Sequence, residues 1–125
     1  MNFRLRTSKY TEEKLKYLQS TTNLNPNILS RLAISLSVKL PTLPEINPQD
    51  ANGLEFNRNT LTGEYDEVFK ILLTQHAKRE ISDEEFFPNL FNSHLERGID
   101  LLESEYKHAG NYEKFIINML SMEKG

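Results

Sequence analysis

The chain begins with a strand that cannot stand alone. From Asn2 to Thr7 apolar and polar residues alternate, with Phe3 and Leu5 on one side and Asn2, Arg4 and Arg6 on the other. That period of two is what a half-buried strand requires. So short a strand leaves its backbone donors and acceptors unmatched, so it must either join a sheet or pair with a second copy. Everything that follows it is dominated by helical spacing. The expected fold class is therefore mainly α, with one early strand that needs a partner.

Two helices follow the strand directly. Thr11 is the expected cap of the first, with Glu12 and Glu13 favourable at the positive end of the helix dipole. Leu15 and Leu18 give it a narrow apolar stripe, and Thr21, Thr22 and Asn23 stop it. Asn25 followed by Pro26 is a start signal: a capping side chain, then a proline where no amide bond is lost. That second helix presents Ile28, Leu29, Leu32, Ala33 and Leu36 on one face. Pro41, Pro44 and Pro48, set among Thr, Asn and Asp, predict an ordered connection. A short extended piece within residues 54–64 ends at the Thr62-Gly63 turn. Helix resumes near Tyr65, with Tyr65, Val68, Phe69, Leu72 and Leu73 spaced for a buried face. Ser82-Asp83-Glu84-Glu85 has the form of a capping box. The stretch to Lys107 is expected to bury Leu90, Phe91, Leu95, Ile99, Leu102 and Tyr106, and a last helix spans 112–122 after Gly110-Asn111.

Charge divides the chain. Residues 1–39 carry Arg4, Arg6, Lys9, Lys14, Lys16, Arg31 and Lys39 against Glu12 and Glu13, a net of +5, while residues 40–125 carry eight bases against sixteen acids, a net of −8. A polarised molecule of this kind suits an anionic partner, and nucleic acid leads. The expected organisation is a single domain, 1–125, with a basic strand–helix–helix (1–39), a Pro-containing connection (40–64) and an acidic helical part (65–125).

Other classes of function fall away. No apolar run approaches the roughly 18 residues that cross a bilayer, and the first residues lack a signal-peptide core, so a cytoplasmic protein with no membrane partner is expected. With no cysteine in the sequence there is no thiolate nucleophile and no zinc-thiolate site. His76 stands one helical turn from Glu80, and His94 lies near Glu96, but a metal needs three or four converging ligands, so neither pair predicts a site. Gly53, Gly63, Gly98 and Gly110 are scattered and form no phosphate-cradling loop. No catalytic set, cofactor or metal is expected, and the chain is not expected to be an enzyme.

Strand, helix, helix is the order of ribbon-helix-helix DNA-binding proteins, in which two N-terminal strands from a dimer lie together in the major groove. Asn2, Arg4 and Arg6 would then project together, and both residue types make bidentate contacts with base edges. Lys9, Lys14 and Lys16 cluster at the strand-to-helix junction, placed to hold phosphates without reading sequence. The free amides of the Asn25-Pro26 helix start are a weaker phosphate seat.

The segments NFRLRTSKYTEEKLKYLQ, NPNILSRLAISLS and EFNRNTLTGEYDEVFKILL, in that order, resemble the DNA sulfur-modification protein family DndE. The likeness is strong from Asn2 to about His76 and looser beyond. It implies a ribbon-helix-helix-related N-terminal core followed by additional C-terminal helices, assembled as a homotetramer. It also implies a role in DNA phosphorothioation, a restriction-modification type of marking in which sulfur replaces a non-bridging phosphate oxygen. Partner proteins, including a cysteine desulfurase and an ATP-pyrophosphatase-like protein, would carry the chemistry. The resemblance implies binding of double-stranded DNA, with preference for nicked duplex, through the basic residues that match by position: Arg4, Arg6, Lys9, Lys14 and Lys16. Arg31, on the second helix of the basic segment, completes the expected set of DNA-binding residues.

Two rival expectations remain. A sequence-specific ribbon-helix-helix repressor would prefer its operator by roughly a thousandfold or more. A structural adaptor would dock partner enzymes on the acidic part. The unpaired strand and the many apolar helix positions predict association through the strand and first two helices, with the acidic helices outward.

Overall fold

The strand finds its partner within its own chain. In the computed structural model, which describes residues 3–45, 50–110 and 112–124 (the side chains of 112–113 and 121–124 excepted), β1 (Arg4–Arg6) pairs antiparallel with β2 (Glu55–Asn57). Arg4 lies opposite Asn57, Leu5 opposite Phe56 and Arg6 opposite Glu55. The ladder runs on past the strand ends: Thr7 N donates to Leu54 O at 2.9 Å, Gly53 N to Thr7 O at 2.8 Å, and Arg58 N to Phe3 O at 2.7 Å. The pairing that a dimer ribbon would supply is thus met by residues about fifty positions along, which corrects the expectation of strand pairing between copies. Alternation holds for Leu5, which is buried against Phe56 between exposed Arg4 and Arg6. It fails for Phe3, half exposed at the sheet's end and not packed inward. Asn2 and Pro48 lie outside the described residues.

Helix α1 (Lys9–Thr22) is capped by Ser8, three residues before the expected Thr11, with Ser8 Oγ accepting from Thr11 N at 3.0 Å. Both residues carry a capping hydroxyl, and Thr11 is itself buried inside the first turn. Asn23 ends the helix in the left-handed conformation (φ 62°). Helix α2 (Pro26–Ser37) starts as its sequence predicts: Asn25 Oδ1 accepts from Ile28 N at 3.0 Å and Pro26 takes the first position. It buries Leu29, Ala33 and Leu36 and also Ser30, Ile34 and Ser37, because α1 covers one side and the long helix α5 (Phe91–Ala109) the other. Gly98 makes that second contact possible, since a Cβ there would stand 2.0 Å from Ala33 O. Ile28 falls outside the buried face and Leu32 is only half-buried.

The connection holds β2, the short α3 (Arg58–Leu61) and a 3-10 turn (Gly63–Tyr65), after which α4 (Asp66–Ala77) begins. The buried stripe of α4 is Phe69 and Leu73, with Leu72 half-buried, while Tyr65, Val68 and Ile71 point to solvent. The expected stripe was therefore too wide. The capping box at Ser82 forms in both directions: Glu85 N donates to Ser82 Oγ at 3.1 Å and Ser82 N to Glu85 Oε1 at 3.4 Å. A kinked helical segment (Glu85–Leu90) follows, non-helical at Phe87, with a cis bond between Phe87 and Pro88, and it leads into α5. Gly110, at φ 82°, closes α5, and α6 (Tyr112–Lys124) completes the chain.

Buried side chains form one apolar cluster running from Leu5 to Met119. At its centre the rings of Phe69, Phe86 and Phe87 each stand 5.6–6.1 Å from that of Phe91. The expected α5 positions Leu95, Ile99 and Leu102 are all buried. The fold is mainly helical with a two-stranded sheet. No helix among the described residues is long and apolar enough to cross a membrane.

Candidate nucleic-acid interface

Five of the six basic residues singled out from the sequence lie on β1 and α1, and each has a carboxylate beside it. On the outer face of the sheet, Arg4 NH1 lies 3.3 Å from Glu55 Oε2 and Arg6 NH2 lies 3.7 Å from Glu55 Oε1. On the first turns of α1, Lys9 Nζ stands 2.7 Å from Glu12 Oε1 and Lys16 Nζ 3.7 Å from Glu12 Oε2. The Lys9 hydrogen bond and charge hold the Glu12 carboxyl below its usual range, and Glu12 in turn raises the Lys9 ammonium. All four cations remain open to solvent, with side-chain exposures of 71% for Arg4, 48% for Arg6, 60% for Lys9 and 63% for Lys16. The exposed pairs of Arg4 and Arg6 with Glu55 contribute at most about 1 kcal/mol, so an arriving phosphate can compete with them, whereas Lys9 and Lys16 stay open to solvent beside an enclosed Glu12 carboxylate.

Lys14 is different. Its Nζ donates to both oxygens of Glu103 on α5, at 2.8 and 2.9 Å, and the hydrogen bonds to Glu103 raise its pKa. Lys107 Nζ shares the same carboxylate at 3.6 Å. This pair is enclosed: side-chain exposure is 26% for Lys14 and 14% for Glu103. It belongs to a seam along which α1 and α5 run in the same direction. Ser8 donates to Glu96 from both its amide (3.1 Å) and its hydroxyl (2.5 Å), Tyr10 OH donates to Asp100, Lys14 meets Glu103, and the Tyr17 ring meets Tyr106 edge-on. Acids at positions 96, 100 and 103 lie one helical turn apart on one face of α5. Part of the acidic C-terminal half is thus turned onto the basic N-terminal helix, and not outward.

Arg31 sits apart from the other five, on α2, with its guanidinium 5.8 Å from the Tyr65 ring centroid. It lines a groove with Ile28, Leu32, Val68 and Leu72 in which no residue of β1 or α1 takes part. Tyr10 and Tyr17 are half exposed along α1 beside the lysines.

The histidines form no metal centre. His76 Nε2 lies 2.6 Å from Leu40 O, its ring stands edge-on to His94 at 4.8 Å, and Glu96 is engaged by Ser8. Among the described residues no group of three or more His, Asp or Glu is arranged to hold a metal ion.

Two features escaped the sequence. The pairing of Lys9 and Lys16 with Glu12 was legible in principle, since i,i+3 and i,i+4 spacings bring opposite charges together. The pairing of Glu55 with Arg4 and Arg6, and of Glu103 with Lys14, carried no local signal, because the partners lie about 50 and 90 residues apart in the chain.

Residues 4–120 match the family model described as DNA sulphur modification protein DndE. The chain belongs to the DndE family. Among solved structures it resembles DndE from Escherichia coli B7A, a protein involved in DNA phosphorothioation modification, at 26% identity with a TM-score of 0.62, over 79% of this chain and 96% of that one. It also resembles a DndE variant with two glycines replaced by lysine, likewise involved in DNA phosphorothioation, at 26% identity and a TM-score of 0.63, over 83% of this chain and 99% of the other. A comparison with curated proteins gives no match.

Proposed function

We propose that this chain is a non-catalytic DNA-binding subunit of the cytoplasmic DNA phosphorothioation machinery, holding the sugar–phosphate backbone and favouring nicked duplex. The observation that carries this reading is the array of solvent-open cations on β1 and α1 (Arg4, Arg6, Lys9 and Lys16) in a chain of the DndE family. Lysine and arginine aimed outward from regular elements contact phosphates and fix register without reading bases. A nick removes the stiffness of the duplex at one point, so cations on two elements reach phosphates on both sides of it with less bending. The sequence holds no cysteine, so any thiolate that delivers sulfur belongs to a partner. Lys14 and Arg31 support the interface less directly, the first by fixing α1 to α5 and the second from the neighbouring helix.

Titration with intact and nicked duplexes over a range of salt tests this. Affinity should fall steeply with salt, and the combined variant Arg4→Glu, Lys9→Glu, Lys16→Glu should weaken binding to all sequences alike, flattening the salt slope by about 3. Absence of binding at low salt, or a flat salt response in the unaltered protein, refutes the reading. Lys14→Glu should act mainly on folding stability.

We also propose a homotetramer. Leu29 is fully buried within the chain's own core. Apolar side chains one turn apart, Tyr65 before α4 and Val68 and Ile71 on it, remain exposed, the first two lining a groove with Ile28 of α2, the kind of surface that association covers. Light scattering should give a tetramer for the unaltered chain and a smaller species for Val68→Glu/Ile71→Glu. A monomer at micromolar concentration before any substitution overturns the assembly.

A further inference from the structure

The sheet's outer face carries a fork: one carboxylate, Glu55, bridging two guanidinium groups, Arg4 and Arg6, with a different oxygen given to each. That is the arrangement a phosphodiester would adopt there, since it too offers two non-bridging oxygens with a shared negative charge, and guanidinium groups match either anion. We propose that the Arg4–Glu55–Arg6 fork is a phosphodiester seat held by the chain's own carboxylate, and that Glu55 is an exchangeable counter-anion which a DNA phosphate displaces. The proposal rests on the DNA-binding reading above and adds a residue that opposes binding.

Three observations favour exchange at this fork. All members are open to solvent, with side-chain exposures of 71% for Arg4, 48% for Arg6 and 40% for Glu55. Contact with Glu55 is at the long end of ion pairing, 3.3 and 3.7 Å, with no side-chain hydrogen bond shorter than these anchoring the carboxylate among the described residues. And β1–β2 places Arg6 directly opposite Glu55, so both guanidinium groups stay on the same outer face when the carboxylate rotates away.

Two carboxylates beside α1 also bridge pairs of lysines, and they behave differently. Glu12 bridges Lys9 and Lys16, and Glu103 bridges Lys14 and Lys107, but these carboxylates keep only 11% and 14% side-chain exposure, and each has one short contact, 2.7 and 2.8 Å, beside a long one, 3.7 and 3.6 Å. A carboxylate enclosed against its helix has no water to move into, so those forks are fixed parts of the fold. Glu55 alone of the three stands where phosphate can replace it.

The test compares the full chain with Glu55→Gln and Glu55→Lys, binding a nicked duplex at about 0.15 M salt. Glu67→Gln and Glu67→Lys, on the exposed side of α4, carry the same changes in net charge away from the sheet. Glu55→Gln should tighten binding about two- to fivefold, the worth of one exposed ion pair, and Glu55→Lys about tenfold or more, while the Glu67 variants change it less than twofold. Adding Arg4→Ala/Arg6→Ala to Glu55→Gln should abolish the gain. Equal effects at positions 55 and 67 would reduce the result to net charge and overturn the proposal. So would unchanged or weaker binding by Glu55→Gln in a preparation whose unaltered protein binds. If neither the unaltered protein nor any variant binds at low salt, the DNA reading fails first and the seat fails with it.

Discussion

Arg58→Met is expected to destabilise the protein by about 3–5 kcal/mol at neutral pH, the range for removing one partner from a buried ionic group. Arg58 is 4% exposed. Its Nε and NH2 donate to the two oxygens of Asp66 at 2.8 Å, its NH1 and NH2 to those of Asp83 at 3.0 and 2.9 Å. Its guanidinium also stands over the Phe86 and Phe87 rings, 5.2 and 5.1 Å from their centroids. One side chain therefore ties the start of α3 to the start of α4 and to the turn before α5. Methionine fills a similar volume but leaves two carboxylates facing each other with only Lys70, 3.8 Å from Asp83, in place of the guanidinium. The Arg58 hydrogen bonds hold both Asp66 and Asp83 below their ordinary pKa. Their contribution is thus present at neutral pH and lost as pH falls through the acid range below about 4. In the variant the sign reverses, because protonation relieves the repulsion. Urea unfolding at pH 7 and pH 4 measures this: the gap between the two proteins should narrow on acidification. Arg58→Lys should recover only a minor part, since an ammonium cannot grip two carboxylates with paired bonds. A loss under 1 kcal/mol at pH 7 would show that packing alone holds the junction.

The second large effect is expected from acid acting on His94. This imidazole is 1% exposed, and burial, the neighbouring His76 ring and the Arg97 charge push its pKa down from 6.5 to about 3. Arg97 Nε donates to Ser37 Oγ at 2.8 Å, so the serine's own proton is directed at His94 Nδ1, 2.8 Å away, and the ring must be neutral to accept it. A base whose folded pKa is depressed contributes stability that is whole above its unfolded pKa. That stability drains away as pH falls from about 6.5 towards 3, in total on the order of 5 kcal/mol. Between pH 7 and 4.5 the loss should be about 3 kcal/mol, in a window where Asp66 and Asp83 are still ionised. His94→Gln, which cannot be protonated, should start less stable at pH 7 and show a much flatter curve down to pH 4.5. Parallel curves for the two proteins would assign the acid lability elsewhere.

How far such features can be read from sequence depends on how far apart their parts lie. Asn25-Pro26 and the Ser82/Glu85 box formed as expected, because a cap is a bargain between residues three apart. Leu95, Ile99 and Leu102 were legible for the same reason: helical spacing is local. Ser8 against Thr11 was not, since both offer a hydroxyl and the choice turns on Glu96, 88 positions away, which grips Ser8 from across the fold. The extended piece expected within residues 54–64 does contain β2, but nothing local tied it to β1 across the Pro-containing connection, and a strand without an assigned neighbour invites a dimer. Around α4 the pattern Tyr65, Val68, Phe69, Leu72, Leu73 spans an arc of about 140°, so periodicity could not tell its buried edge from its exposed one. The candidate DNA-binding cations were visible at once, whereas the carboxylates that govern them were visible only at Glu12.

The parallel seam between α1 and α5 also sets a timetable. Ser8, Tyr10 and Lys14 find their partners at Glu96, Asp100 and Glu103, and β1 finds its own at Glu55 to Asn57. During synthesis at roughly 5–20 residues per second, the first helix therefore emerges several seconds before the surface it is made to lie on. Throughout that interval Leu15 and Leu18 lack the part of their core that α5 supplies, and Lys14 has no acid of α5 beside it. Closing so long a loop is an entropic cost that must be met before its contacts repay it, which slows the search for the native state. The nascent basic segment is consequently at its most cationic before the protein is finished, and the last helices to be made are the ones that temper it.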